Sequence, residues 1–456
     1  MRRKFLFLQG ASSPFFSRLG DWLAARGAEV RRVNLCAGDA LYWRGKPAWS
    51  YPGPREGFAA WLEARIGAEG LTDLVLFGDQ RPHHRDAAML ARKHGLRVHA
   101  FEEGYIRPNW VTLERGGVNA ASALPRDAAW YRKVSAALPD AGEGRRVLPS
   151  LAPRIAHDMA YHAANLANCL AYRGYRTHRP RLSAVEYAAW ARRYARFALW
   201  QRRDAARIEA LVERNTPFYF LPLQLNGDAQ IVHHSPFGTM ANALRPILAS
   251  FARRAPAEAH LVIKNHPLDT GLVDYARHIG GLERELGLAG RVVFLQTGDV
   301  PTLLDHALGV VVVNSTVGLS ALQHLRPVKT LGKAIYDLPG MTFQGELDDF
   351  WGRLAAPDLE LVRAFRNVVV HATQVNGGFY SGQGIATALE GCARLLEPRS
   401  RLEELLAAFP LQPRRIPEDA LVLVRRPAVP QVAARAARPR LLEPRLERHE
   451  ERPVSE

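Results

Sequence analysis

Short apolar runs alternate with amphipathic stretches along most of the chain. Phe5–Leu8, Glu29–Leu35, Leu74–Phe77 and Arg97–Phe101 read as strands, and Pro14–Arg26 and Ala87–His94 carry helical spacing between them. A second alternating series begins after Thr216-Pro217, with strands expected at Phe218–Leu223, Ala259–Ile263, Arg291–Leu295 and Val310–Val313. The last of these is wholly β-branched, as in a strand buried on both faces of a parallel sheet. It stops at Asn314-Ser315-Thr316, whose side chains favour turns and helix N-caps. Val317, Leu319, Ala321, Leu322 and Leu325 continue with helical spacing, Arg326-Pro327 ends that helix, and Val328–Leu331 opens another strand. A helix that starts at the carboxyl end of a parallel strand points unpaired N–H groups and a positive dipole end at whatever lies there. That suits a phosphate, although an ordinary capped βαβ unit carries the same pattern.

Alternation of this kind implies parallel sheets with helices on both faces, and ligands of such sheets bind beyond the carboxyl ends of the strands. The expected fold is α/β: two doubly wound, Rossmann-type domains over residues 1–150 and 215–395, facing a cleft. Residues 151–214 lack strand patterns and form a helical connecting region rich in Ala, Arg and aromatics. It holds a basic loop, Tyr172–Arg181, and a long expected helix, Glu186–Arg214. That helix carries Trp190, Tyr194, Phe197 and Gln201 on one face, with Arg192, Arg193, Arg196, Arg202 and Arg203 around it. The aromatics fit packing between the two domains with snorkelling arginines; an anionic membrane surface is the other partner of such a helix. A terminal helix over 396–411 and a Pro/Arg-rich tail over 412–456, expected to be largely disordered, complete the chain.

Composition narrows the partners. Apolar content of 47% and charged content of 23% are those of a globular protein. The net charge of +16, mostly arginine, favours anionic partners. No nucleic-acid reader motif accompanies it, so nucleic acid is not expected. Cys36, Cys169 and Cys392 have neither metal-like spacing nor a disulfide pattern, which suggests a reducing cytoplasm. Phe5–Leu8 is too short for a signal-peptide core, and no run approaches the roughly 18 apolar residues of a spanning helix.

Four polar clusters fall at expected strand ends: Glu102-Glu103-Gly104, Asp228, His266-Pro267 and Ser315-Thr316. Each has a plainer explanation. The glutamates fit a solvated turn, Asp228 fits turn chemistry after Asn226-Gly227, and a His before Pro fits a strand end. Parallel topology would nevertheless bring all four to one cleft. Carboxylates on one side, and a His beside a helix N-terminus on the other, suit transfer of a group away from a phosphate. Gln224, Arg107, Lys264 and Asn314 lie at the same strand ends.

An acidic-acidic-Gly motif, His-Pro and a Ser-Ser/Ser-Thr pair, in that order, resemble the set found in bacterial glycosyltransferases that use CMP-activated sialic acid. The two-domain layout resembles the GT-B fold. More closely, EEGYIRP (102–108), QLNGDAQI (224–231), KNHPLD (264–269) and NSTVGLSAL (314–322) are similar to the capsule polysaccharide biosynthesis/export family, over residues 1–395. The resemblance implies a retaining β-Kdo transferase that uses CMP-Kdo. Such enzymes build a Kdo linker on lysophosphatidylglycerol, and a chain with room for one module resembles the enzyme that initiates it. It further implies His266, Ser315 and Thr316 at the CMP phosphate with Lys264 close by, Asp228 as nucleophile, and Glu102 or Glu103 as acid/base. In the inverting sialyltransferases the acidic motif acts directly as base. With one phosphate on the donor and no D-x-D motif, neither metal nor cofactor is expected. The implied setting is the cytoplasmic face of the inner membrane, held peripherally, with a second Kdo transferase and the capsule export machinery as partners. Another CMP-sugar transferase (sialyl or polysialyl), a nucleotide-sugar epimerase and a non-catalytic export scaffold are the alternatives.

Overall fold

The computed structural model describes residues 2–148, 151–177 and 183–411, and one compact unit ends at Pro410. Its first part supplies strands β1 (Lys4–Phe7), β2 (Glu29–Asn34), β3 (Ala48–Ser50), β4 (Asp73–Phe77), β5 (Arg97–Glu103) and β6 (Trp110–Arg115). There follow β7 (Phe218–Pro222), β8 (His260–Lys264), β9 (Val292–Leu295), β10 (Gly309–Val312), β11 (Val328–Thr330) and β12 (Gln374–Asn376). One sheet runs β12-β6-β5-β4-β1-β2-β3 and the other β11-β10-β7-β8-β9. All pairs of the second sheet are parallel. In both, strand order reverses beside the lobe's first strand, at β1/β4 and at β7/β10, as in doubly wound folds. The architecture is GT-B-like α/β.

Side-chain alternation explains the layers. Phe218, Phe220, Val262, Val310 and Val312 enter one apolar cluster, while Tyr219, Leu221, Leu261, Ile263 and Val311 enter the one on the opposite face. The first sheet divides likewise, with Phe5, Phe7, Val75 and Phe101 on one side and Leu6, Leu8, Leu74, Leu76 and Val98 on the other. Strands covered on both faces show as continuous apolar runs.

The first sheet departs from the all-parallel expectation. β6 returns antiparallel to β5, and β12 adds antiparallel to β6. β5 therefore outlasts its apolar run: Glu102 and Glu103 pair with Thr112 and Val111 instead of lying past the strand end. The expected lobe limits at 150 and 395 also change, because apolar faces pull the chain across. Val375, Phe379, Ile385 and Ala388 pack on the first sheet. Trp130, Tyr131 and Val134 join Phe365 and Val369 in the core beneath the second.

The long helix expected over Glu186–Arg214 is two helices, Ser183–Tyr194 and Phe197–Glu213. The break separates two buried anchors. Arg193 donates to the carbonyls of His266 and Gln296, and Asp204 accepts from the backbone N–H groups of Gln296 and Thr297. Trp190, Tyr194 and Phe197 stack on one another at the surface, with Tyr194 62% exposed, and do not form an interdomain core. The terminal helix is Arg401–Ala408, opened by a capping box between Ser400 and Glu403. The tail over 412–456 and residues 178–181 of the basic loop lie outside the described residues. Among the described residues no helix is long and apolar enough to cross a membrane.

Candidate active site

A cavity of about 310 Å³ opens between the lobes. Tyr105, Ile106 and Arg107, just past β5, line one side. Lys264 at the end of β8, Asn265–Pro267 past it, and Ser315, Thr316 and Val317 past β10 line the other.

The second-lobe wall is built at the β7/β10 reversal. The Gln224 amide donates to Asn314 Oδ1 at 2.9 Å, and the Asn314 backbone N–H returns to Gln224 Oε1 at 3.2 Å. Asn314 Nδ2 donates to the Gln230 carbonyl at 2.9 Å. Both side chains are buried, so this pair braces the two strand ends. Ser315 caps the helix Thr316–Gln323, its Oγ accepting the Val317 N–H at 3.2 Å. The Tyr336 hydroxyl donates to the Ser315 carbonyl. A Cβ at Gly318 would fall 2.2 Å from that hydroxyl oxygen, so glycine is what lets the helix start here. The Val317 and Gly318 N–H groups are bonded to Ser315, so the Thr316 N–H and the helix dipole are what favour an anion in the cavity.

The His-Pro turn is held from several sides. Asn265 Oδ1 accepts the His266 N–H at 2.8 Å, while its Nδ2 donates to Asp269 and Gln296. Arg193, 6% exposed, donates to the carbonyls of His266 (3.1 Å), Pro267 (3.4 Å), Asp269 and Gln296 (3.3 Å). The Leu268 N–H donates to His266 Nδ1 at 3.1 Å, which leaves the ring proton on Nε2. Burial pushes the imidazole down to about 4, and the charges of Lys264, Arg107, Arg193 and Arg154 act in the same direction. At neutral pH His266 is therefore an uncharged N–H donor among cations. Lys264 is itself buried, and burial followed by the Arg193 charge lowers its pKa.

Opposite stand the carboxyl groups. Burial pushes Glu102 up to about 7, against a bond from the Glu103 N–H to its Oε1 (3.0 Å); the charges of Glu103 and Asp228 add to the rise and that of Arg81 opposes it. Glu103 is tied differently: Arg154 pairs with it at 3.3 Å and the Tyr380 hydroxyl donates to it at 3.5 Å. A Cβ at Gly104 would lie 2.0 Å from the Trp110 carbonyl oxygen, so the tight exit from β5 requires glycine. Asp228 caps the helix Ala229–His234, its Oδ1 accepting the Gln230 N–H at 2.9 Å. Burial raises its pKa, opposed by that N–H and by Arg107.

Of the residues singled out in the sequence, Lys264, His266, Pro267, Ser315, Thr316 and Arg107 line the cavity. Gln224, Asn314 and Gly104 shape it from behind. Glu102, Glu103 and Asp228 do not line it, although the Asp228 charge reaches Glu102. Tyr105 and Asn265 also line the cavity, from inside the EEGYIRP and KNHPLD motifs. Arg193 was visible only as one arginine among several. Arg81, Arg154 and Tyr380 carry no local signal, since only the fold brings them to the glutamates. Among the described residues no three His, Cys, Asp or Glu side chains converge as metal ligands.

Two α/β lobes thus meet at a cavity whose lining suits an anion, with a carboxyl cluster on the first-lobe strand that leads to its wall. Residues 72–380 match the model of the capsule polysaccharide biosynthesis protein family, and the chain belongs to that family. It is 38% identical over 383 residues to the capsule polysaccharide export protein KpsS of Escherichia coli, covering 83% of this chain and 97% of that one. It is 36% identical over 387 residues to the capsule polysaccharide modification protein LipB of Neisseria meningitidis serogroup A, covering 82% and 91%. Among solved structures, Thermosulfurimonas dismutans KpsC, beta Kdo 2,7 transferase, aligns with a TM-score of 0.40 at 15% identity, covering 87% of this chain and 100% of that one.

Proposed function

We propose that the protein is a retaining glycosyltransferase that moves Kdo from CMP-Kdo to lysophosphatidylglycerol, starting the lipid linker of a capsular polysaccharide. The observation that carries this reading is an anion cavity, with Lys264, neutral His266 and the Ser315–Thr316 helix start on one wall, whose other wall, Tyr105–Arg107, directly follows the strand end that bears Glu102 and Glu103. Family membership supports the capsule context.

In this mechanism the Asp228 carboxylate attacks the anomeric carbon of Kdo. The bond from that carbon to the phosphate oxygen breaks, and CMP leaves with the electron pair. Lys264, the His266 Nε2–H, the Thr316 N–H and the helix dipole stabilise the phosphate as it departs. Glu102 then takes the proton of the acceptor hydroxyl, whose oxygen attacks the same carbon and expels Asp228. Two displacements give net retention. The N-cap bond engages one Asp228 oxygen and fixes the carboxylate's orientation. Glu103, tied to Arg154, tunes Glu102 by its charge. No metal or cofactor enters the proposal, and a second Kdo transferase and the export machinery are its downstream partners.

Incubation of the purified chain with CMP-Kdo and lysophosphatidylglycerol, followed by mass spectrometry of the lipid, tests it. One added Kdo is expected. An unmodified lipid, alongside transfer to a sialylated or other acceptor, would overturn the reading.

A further inference from the structure

We infer that residues 151–171 form a docking face for an anionic phospholipid bilayer. The segment comprises the helix Leu151–Ala164, a 3-10 turn Asn165–Ala167 and the short helix Asn168–Ala171. Its amphipathicity is inverted. Every exposed residue between 151 and 171 is apolar, among them Leu151, Ala156, Met159, Ala163, Leu166 and Leu170. Leu166 and Leu170 are 80% and 76% exposed. The spacing of Ala156, Met159, Ala163, Leu166 and Leu170 keeps them on one stripe of a helix.

The polar residues face the protein instead. His157 Nδ1 meets the Tyr42 hydroxyl at 2.8 Å. The Tyr161 hydroxyl donates to Asp39 at 3.1 Å. Asn165 and Asn168 accept the backbone N–H groups of Gly38 and Ala37, each at 2.8 Å. A helix that met only water would turn these faces the other way. Here the polar face is fastened to the first lobe and the apolar one is left outward.

Charge identifies the occupant. The helix Ser183–Tyr194 leans on this segment through the Tyr187 hydroxyl, which donates to Asp158 at 2.7 Å. Arg173, Arg176, Arg192, Arg196, Arg202 and Arg203 are exposed. Residues 151–203 hold ten arginines against two acidic residues, Asp158 and Glu186. The stacked, partly exposed Trp190, Tyr194 and Phe197 have the amphipathic rings suited to headgroup depth. An outward apolar stripe beside a field of arginine fits a surface of acyl chains beneath anionic headgroups. Because Arg154 on the same helix pairs with Glu103, a bilayer docked there lies beside the candidate site. The inference stands on this surface alone and is read by binding, so a failed sugar-transfer assay leaves it intact.

The full chain, incubated with phosphatidylglycerol–phosphatidylcholine vesicles, is expected to float with them and to be released by salt. The double variant Leu166→Glu/Leu170→Glu is expected to lose at least tenfold of that binding at an unchanged melting temperature, while Leu354→Glu, at an exposed apolar residue elsewhere, keeps it. A reading without mutation uses Cys169, which is exposed on this face while Cys36 and Cys392 are buried. A bimane label there is expected to shift to the blue on anionic vesicles and not on phosphatidylcholine alone. Wild-type flotation by the double variant, an unmoved bimane spectrum, or a dimer that the double variant dissociates while no form binds vesicles would each overturn the inference; the last would assign the face to a second copy of the chain.

Discussion

At the carboxyl edge of the second sheet His266 and Ser315 stand on a turn and at a helix N-terminus, with Lys264 closing β8 beside them. At the matching edge of the first sheet the polar groups stand in a strand. His266 and Ser315 owe their positions to backbone held from outside: the Arg193 clamp on the His-Pro carbonyls, the Gln224–Asn314 brace, and the Tyr336 bond to Ser315. Glu102 and Glu103 owe theirs to the β5–β6 ladder, which fixes alternate residues on opposite faces. The electrostatic outcomes are opposite as well. Burial among cations leaves His266 neutral, and the positive charge that favours an anion on this wall rests on Lys264 and the helix dipole. Burial beside other carboxylates leaves Glu102 half-ionised near neutrality, as a proton carrier requires. In the proposed mechanism one lobe holds the donor and the other exchanges a proton.

Asp228 is where the division is most easily broken, because it belongs to the second lobe by sequence and to the carboxyl cluster by charge. Asp228→Asn keeps the N-cap, as Asn caps about as well as Asp. The variant should therefore melt normally and bind CMP, yet lose transfer by a factor approaching 10⁶, the scale of a lost nucleophile. Near-normal turnover would return Asp228 to a purely capping role and make Glu102 act directly.

Glu102→Gln comes next, with an expected loss of roughly 10²–10⁴ in kcat. In the wild type, kcat should rise with pH through about 7 as Glu102 ionises. Stability should move the other way. Burial lifts the folded pKa of Glu102 above its unfolded value, so the favourable contribution is present below about 4.5 and is lost as pH rises to about 7. Glu102→Gln should therefore be more stable than wild type at pH 8, by about 2 kcal/mol, and no more stable at pH 4. Thermal melts at the two pH values check the sign.

The same contrast explains what the sequence made legible. Second-lobe residues sit in short motifs at strand ends, where a β-branched run stopping at Asn314-Ser315 or Lys264 announces a turn. Most residues of the second-lobe cavity wall were therefore visible in the sequence. The first lobe's arrangement was not, because it depends on partners far along the chain. β6 reverses direction, β12 arrives from residue 374, and Arg154 and Tyr380 reach Glu103 from distant segments. A polar pair that closes a strand looks like a turn when only its neighbours are visible. The connecting region misled for a related reason. The helical period over 186–214 was plain, but which stripe faced protein depended on distant backbone partners, the His266 carbonyl for Arg193 and the Gln296 and Thr297 N–H groups for Asp204.

His266→Ala sharpens the second-lobe half of the comparison. Removing one donor from the departing phosphate should cost roughly 10²–10³ in transfer and weaken CMP binding. With its pKa at about 4, His266 does not titrate in the working range. The KM for CMP-Kdo should accordingly stay flat from about pH 5.5 to 8, a range well above that pKa. A KM that climbs as His266 would lose a proton near 6.5 would show that it acts as a cation, and the distinction between the lobes would weaken.

The smallest expected effect discriminates most finely. Arg154 joins the connecting region to the first lobe through Glu103, and its side chain is 41% exposed. An ion pair so placed contributes only about 0–1 kcal/mol, so Arg154→Met should melt close to wild type. Its electrostatic consequence is more specific. The Glu103 charge already raises the pKa of Glu102, and Arg154 offsets that charge. Without Arg154, ionised Glu102 faces a bare neighbour, so the acid limb of the kcat profile should move to higher pH, by about half a unit. Glu103→Gln should move the same limb to lower pH, and in the double variant Arg154 should no longer matter. Three outcomes separate the roles. A shifted limb at constant donor KM marks Arg154 as a positioning residue for the proton carrier. A raised donor KM with the limb unmoved would place its guanidinium on the donor's anionic groups, with the second-lobe cations. A uniform fall in kcat with neither change would leave it a structural tie between helix and strand, and Glu102 would owe its poise to burial alone.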